Sequence, residues 1–365
     1  MNRVSNSPRS FNAWPGSAHS KQRYNMNNAE LIERMADDAR PLFVSAEAVR
    51  TQSDWPLAIA KLRHAYSSPH SHREVPPRTI ARGAHGWLRT MSAIPNDSRF
   101  MGAKIFGIGT RRMVNYLIVL IEQDSGLIAG FVDGGAVTAI RTAATSALAI
   151  DRLSRAGSLR VGMLGSGEEA RAHLAALAAI RPIDSLSVYS PTPARRNAFV
   201  SQHGAQHASS AIAVDTREAA ARDCDVLIAA ARSHDETPIV TSDMLEPGKL
   251  VVSIGSTMPE QREIDVSVVA GADLIVCDAV EEVANETGDM LAARDAGIEF
   301  LPKMISLNGL MAGDHDSLVA QSRHILFKSV GSAFQDIVIA ELAYQEASRT
   351  GMAVQFPFEF HTKYA

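Results

Sequence analysis

The chain has 365 residues, 46% hydrophobic and 21% charged, with a formal net charge of −4. This is enough apolar material for two domains with real cores, and the charge excludes a general nucleic-acid or membrane-surface binder. No apolar run is long enough for a transmembrane helix. The only cysteines, Cys224 and Cys277, lie far apart and suit a reducing compartment, so a cytoplasmic location and no metal site are expected.

Residues 1–26 are rich in Ser and Asn, carry scattered cations (Arg3, Arg9, Lys21, Arg23) and precede the first acid, Glu30. The composition is that of a transit peptide, but the apolar face is missing. A disordered extension is expected, with Met26 an alternative start. Two helices follow: one capped by Asn28 and carrying Leu31, Ile32 and Met35, and one over 46–66 with Ser45 as cap and Glu47 in its first turn. Pro76-Pro77-Arg78 breaks the pattern. Strands are expected over 87–91, 100–106 and 116–122, then a turn at Gln123-Asp124-Ser125-Gly126 and a returning strand over 127–132. The first region therefore reads as mixed, with antiparallel hairpins.

An Ala-rich helix over 138–153 leads into alternating strands and helices, with strands at 159–164, 185–189, 226–229, 250–254 and 274–277. Alternation of this kind defines an α/β fold with a parallel sheet. A long helix over 315–348, interrupted near Gly331, is expected from the apolar face of Leu318, Ile325, Val330, Phe334, Ile337 and Leu342.

The strand at 159–164 ends in Gly165-Ser166-Gly167-Glu168-Glu169-Ala170, a G-x-G-x-x-A turn before a helix. Gly165 allows the sharp turn, Gly167 lets a pyrophosphate approach the backbone, and Ala170 lets the helix pack on the strand. The free N–H groups of the helix start then receive the phosphates. Two carboxylates here would repel phosphate, so Glu168 and Glu169 are expected to point outward. The next strand ends in Tyr189-Ser190-Pro-Thr192-Pro-Ala-Arg195-Arg196, with no acid for the ribose hydroxyls. Ser190, Thr192, Arg195 and Arg196 instead suit a 2′-phosphate, which favours NADP(H) over NAD(H). Ala230 and Ala231 end a later strand on the adenosine side; Gly255 and Ser256 end another beside the nicotinamide.

The segment Thr138-Ala-Ile-Arg141-Thr142-Ala-Ala-Thr145, directly before such a turn, resembles the ornithine cyclodeaminase and mu-crystallin family. So do Pro76-Pro77-Arg78, Gly102-Ala-Lys104, the run from Leu250 through Gly255-Ser256-Thr257 to Glu263, Asp278 through Gly288-Asp289, Ser306-Leu-Asn-Gly-Leu and Lys328-Ser-Val-Gly331 through Asp336. The likeness spans about residues 40 to 348. It implies a Rossmann-type NAD(P) domain over 141–311 and a mixed α+β substrate and dimerisation domain from 27–140 and 312–350, with a tail over 351–365. It also implies a homodimer acting on a small amino or imino acid.

By motif position Arg78, Lys104 and Arg141 resemble the family's substrate carboxylate clamp, and Thr142 and Gly331 match loosely as cofactor contacts. A guanidinium fork matches a carboxylate, and a lysine among arginines has a lowered pKa that suits proton transfer at nitrogen. Cyclodeaminases of the family carry an aspartate where Thr257 stands, which disfavours ring closure with loss of ammonia. The resemblance implies an imine or ketimine reductase of the amino-acid dehydrogenase type. The alternatives are a cyclodeaminase and a crystallin-like binder of cofactor and ligand. Arg111 and Arg112 would favour a second substrate carboxylate if they face the site.

Overall fold

In the computed structural model, residues 40–51, 54–111 and 113–363 are described. The N-terminal extension, the Asn28 helix and Arg112 lie outside them. From Pro41 onward the chain forms two sheets that share one long helix.

The first sheet has seven strands: β1 (Leu42–Val44), β2 (Thr79–Gly83), β3 (Gly86–Ala93), β4 (Phe100–Ile108), β5 (Tyr116–Glu122), β6 (Ile128–Asp133) and β15 (Val354–Gln355). Their order is β15-β1-β6-β5-β4-β3-β2, antiparallel except where β1 runs parallel to β6. β3 to β6 fall where period-2 patterning put them: β3 and β4 run a little longer, β5 has the expected bounds and β6 is shifted by one residue. β1 and β15, of three and two residues, are too short to show a period-2 pattern, and β2 follows directly on Pro76-Pro77-Arg78, where extended structure is expected to start. β15 makes the expected tail part of the sheet, and Phe356 and Phe360 of that tail lie against Phe131.

The helix expected over 46–66 is two helices, Ala46–Thr51 and Trp55–Ser67. Ser45 Oγ accepts from Ala48 N at 3.2 Å. Asp54 then caps the second helix, and Pro56 sits in its first turn, where a missing N–H costs nothing.

The second sheet has eight parallel strands in the order β13-β12-β14-β11-β10-β7-β8-β9. These are β7 (Leu159–Leu164), β8 (Ile183–Tyr189), β9 (Ser210–Ala213), β10 (Val226–Ala229), β11 (Leu250–Ser253), β12 (Leu274–Cys277), β13 (Met304–Ser306) and β14 (Ile325–Lys328). β7, β10, β11, β12 and β14 are almost wholly apolar because helices cover both faces. The fold is thus α/β with a Rossmann-type sheet beside a mixed α+β region.

The largest departure from the expected elements lies near the end of the chain. The long helix over 315–348 is a short helix Asp316–Gln321, then β14, then the helix Ala333–Thr350. Ile325-Leu326-Phe327 is a run of only three apolar residues, which periodicity cannot tell from a buried helical turn. β14 sits between β12 and β11, so the chain returns to the first region after Lys328 rather than at 312. The helix Gly134–Leu153 joins the two regions. Asp133 caps it, accepting from Ala136 N at 2.9 Å, and fifteen of its residues, from Gly134 to Leu153, are buried.

Candidate active site

The nucleotide turn lies at the carboxyl end of β7. Gly165 has φ +125°, and a Cβ there would stand 2.7 Å from the Ala230 carbonyl oxygen, so only glycine fits. Gly167 is exposed, and nothing lies within 4 Å of where its Cβ would be. It leads into the helix Glu168–Ala178, whose first N–H groups have no side-chain cap. Ala170 is fully buried against the strand. Open space over a glycine beside free helix N–H groups fits a pyrophosphate.

Ser166 Oγ and Ser190 Oγ are 2.9 Å apart, joining the turn to the loop after β8. Thr192 and Arg195 are exposed there, and Arg195 makes no side-chain ion pair among the described residues. Arg196 behaves differently: it turns inward to pair with Asp215, donates to the Ser190 carbonyl at 3.0 Å and lies over Tyr189. Its expected place beside a 2′-phosphate is therefore filled by a structural role. An arginine at that helix position faces the sheet, whereas its neighbour faces solvent.

Ala230 and Ala231, after β10, face the turn: Ala230 N donates to the Leu164 carbonyl at 2.9 Å. Gly255 N donates to Glu263 Oε2 at 2.9 Å, which also accepts from Ser253 Oγ at 2.5 Å. Lys328 donates to Ser253 Oγ at 2.8 Å and pairs with Asp289 at 3.1 Å. Burial pushes Glu263 up to about 7 against the pull of Lys328. This buried network fixes the 255–257 loop. Ser256 Oγ donates to the Gln261 carbonyl at 2.6 Å, and Thr257 donates through N and Oγ1 to Gln261 Oε1 at 2.9 and 3.1 Å.

A cavity of about 410 Å³ opens between the two sheets. Arg78, Arg89, Lys104 and Arg141 line it from one side, and Ala231 and Thr257 from the other. Lys104, on β4, is 2% exposed; its Nζ donates to Asp336 Oδ1 at 3.1 Å and to Thr138 Oγ1 at 2.5 Å. Burial lowers its pKa to about 8, opposed by Asp336 and aided by Arg141. Arg141 donates from Nε to the same Asp336 Oδ1 at 3.1 Å and from Nη1 to Gln335 Oε1 at 3.1 Å. Gly331 seats it: φ is +78°, and a Cβ there would stand 2.6 Å from Arg141 Cζ. Gly331 N, with Val330 N, donates to Asp278. The role the structure gives Gly331 is thus to leave room for a guanidinium. Arg78 pairs with Glu282 at 2.5 Å and Glu286 at 3.1 Å.

Thr142, another cavity residue, donates to the Thr138 carbonyl at 2.7 Å. Glu168 points outward as expected, its side chain 92% exposed. Glu169 does not: it lines the cavity, and burial raises its pKa against the pull of Arg141. One helical step of about 100° separates the two and sends them to different faces. Arg89, Asp336 and the Glu282–Glu286 pair escaped the sequence reading. Asp336 carried two signals, its place at the end of the Lys328-to-Asp336 stretch and an acid inside an otherwise apolar helix face, and Glu282 and Glu286 lie within the stretch that starts at Asp278.

Fold and site together define a class: a Rossmann-type α/β protein whose parallel strands point their carboxyl ends at a cation-lined cavity, the place where such sheets bind ligands. Within that class, the chain belongs to the ornithine cyclodeaminase/mu-crystallin family, whose model matches residues 41–351. It is 25% identical to a delta(1)-pyrroline-2-carboxylate reductase of Bacillus cereus (strain ZK / E33L), over 74% of this chain and 80% of that protein. It is 27% identical to an alanine dehydrogenase of Archaeoglobus fulgidus, over 72% and 84%. The structure of Thermococcus litoralis delta(1)-pyrroline-2-carboxylate reductase in complex with NADH and L-proline superposes with a TM-score of 0.76 at 25% identity, covering 86% of this chain and all of that one.

Proposed function

We propose that this protein is a nicotinamide-dependent reductase of a small 2-imino acid, working at the C–N bond, and equally an amino-acid dehydrogenase in the reverse direction. The observation that carries this reading is the Lys104–Asp336–Arg141 cluster, buried at the cavity that the nucleotide turn faces. The relatives named above act on substrates of the same kind.

When bound, the nicotinamide supplies the hydride that reduces the C=N carbon. The turn from Gly165 to Ala170 would hold its pyrophosphate, with Ala230, Ala231, Gly255 and Ser256 beside the rest of the dinucleotide. Arg141 keeps Nη2 free of partners among the described residues while Nε and Nη1 are anchored, so it presents a fixed donor to a carboxylate. Arg78, held by Glu282 and Glu286, adds charge from the cavity wall. Lys104 has a pKa lowered to about 8 and a hydrogen-bonding anchor, which suit it to deliver or remove the proton at the substrate nitrogen. Thr257 has no carboxylate to receive a second amine, and its hydroxyl is already committed to Gln261.

NADP(H) is the preferred cofactor in this reading, because Ser190, Thr192 and the exposed Arg195 follow β8 and no carboxylate does. The protein works as a homodimer built on the first sheet, whose outer face exposes Phe43, Leu88, Ile105 and Leu117. No helix among the described residues is long and apolar enough to cross a membrane, and a cytoplasmic site of action suits the cofactor.

The test is loss of NADPH absorbance with a panel of cyclic imines and of 2-oxo acids mixed with ammonia or methylamine. Steady consumption with at least one supports the reading. Ammonia release from a diamino acid without added reductant would identify a cyclodeaminase, and cofactor binding without turnover a binding protein. Light scattering at micromolar concentration checks the dimer.

A further inference from the structure

Arg89 lines the same cavity, and the chemistry above does not use it. It stands on β3 directly opposite Phe106 of β4, two residues from Met91, which faces Lys104. Residues opposite each other in an antiparallel pair share a face, so Arg89 and Lys104 are diagonal neighbours, about 7–8 Å apart. Arg89 is 4% exposed. Its guanidinium carbon lies 5.5 Å from the Trp87 ring and 5.6 Å from the Phe106 ring. The two rings are neighbours that offer the guanidinium no acceptor oxygen for its N–H donors.

Among the described residues Arg89 makes no side-chain hydrogen bond or ion pair, and its buried Nε has no partner. Glu282 and Glu286 attract it, but both are paired with Arg78, which repels it. Burial and Arg78 together lower its pKa to about 10, so it stays charged at neutral pH. A buried charge without an acceptor is costly unless an occupant of the cavity supplies one.

We infer that Arg89 receives a second carboxylate of the substrate, which makes the substrate class the 2-imino dicarboxylic acids and their 2-amino products. This rests on the imine-reduction reading of the same cavity. The first carboxylate lies with Arg141, and the second reaches across the strand pair to Arg89. A monocarboxylic substrate would leave the guanidinium unmet and lose that contact.

The experiment compares 2-oxoglutarate with 2-oxopentanoate. Calorimetry on the cofactor-loaded full-length protein gives affinities, and kcat/KM is measured with ammonia and NADPH. The dicarboxylate is expected to be favoured more than tenfold. Arg89→Met should lower that ratio at least tenfold, and Arg89→Lys should recover part of it, with folding of both checked by thermal melting. An unchanged ratio in a folded Arg89→Met protein, or a wild type that prefers the monocarboxylate, overturns the assignment. Turnover with an unchanged ratio leaves the reductase reading standing and removes only Arg89. An Arg89-dependent binding preference without reductant consumption upholds the subsite and sinks the reductase.

Discussion

The nucleotide turn and the cation-lined cavity face each other, yet they are built in opposite ways. The turn is six consecutive residues, Gly165 to Ala170, on one strand-to-helix junction, and its cradle is backbone N–H groups beside Gly165, Gly167 and Ala170. The cavity's polar wall is drawn from β3, β4, the connecting helix and the last long helix: Lys104 meets Asp336 across 232 positions and Arg141 meets it across 195. A backbone cradle tolerates side-chain change around it. A cluster of buried charges fails when any member is lost, because the others are left unpaired in a low-dielectric interior. Damage to the two regions should therefore differ in size.

The largest effect is expected in the cluster. Arg141→Ala should lower kcat/KM by about 150- to 5,000-fold while the protein stays folded, a loss of about 3–5 kcal/mol. Ordinary kinetics in a folded variant would remove Arg141 from the site. Next is Gly331→Ala, which places a methyl against the Arg141 guanidinium at a positive φ. About a hundredfold fall in kcat/KM is expected from displacing that group, with cofactor affinity changed much less. Equal losses in both would show that Gly331 serves the cofactor and would blur the distinction between the two regions.

A smaller effect comes from pH. Lys104, lowered to about 8 from 10.5, is protonated below that value. Imine reduction, which needs its proton, should fall as pH rises through about 8, and amine oxidation should rise over the same range. Lys104→Met should remove this inflection. The same shift has a stability consequence of definite sign. Between about pH 8 and 10.5 the unfolded chain binds more protons at this lysine than the folded one. The burial penalty is therefore present in full below 8 and is relieved as pH rises through the window. Melting curves of wild type and Lys104→Met across that range measure it.

The mildest change belongs to the cradle's rim. NADPH should exceed NADH more than tenfold in kcat/KM, since each charge-assisted bond to a 2′-phosphate is worth roughly 1.5–3 kcal/mol. Ser190→Asp with Arg195→Ala should reverse the preference. Arg196, turned away to Asp215, should leave it little changed when replaced by Lys. Equal use of both cofactors by the wild type would mean that Arg195 stays in solvent.

Much of this molecule was legible in its sequence wherever the information is local. The G-x-G-x-x-A turn, the apolar strands β7, β10 and β12, and the Ser45 cap each depend on a few adjacent residues whose shapes and hydrogen-bonding groups decide the backbone; the Asp54 and Asp133 caps became visible only once the helix starts were fixed. Arg78, Lys104 and Arg141 were legible as candidates only through motifs, since an isolated cation says nothing of its partner. Tertiary structure alone decided that Asp336 holds two of them, that Glu282 and Glu286 take the third, that Gly331 makes room for Arg141, and that Arg89 is buried without an acceptor. It also decided that Arg195 and Arg196, adjacent in sequence, face solvent and core. The reason is physical: an ion pair depends on distance and desolvation, and neither exists until remote strands and helices pack together.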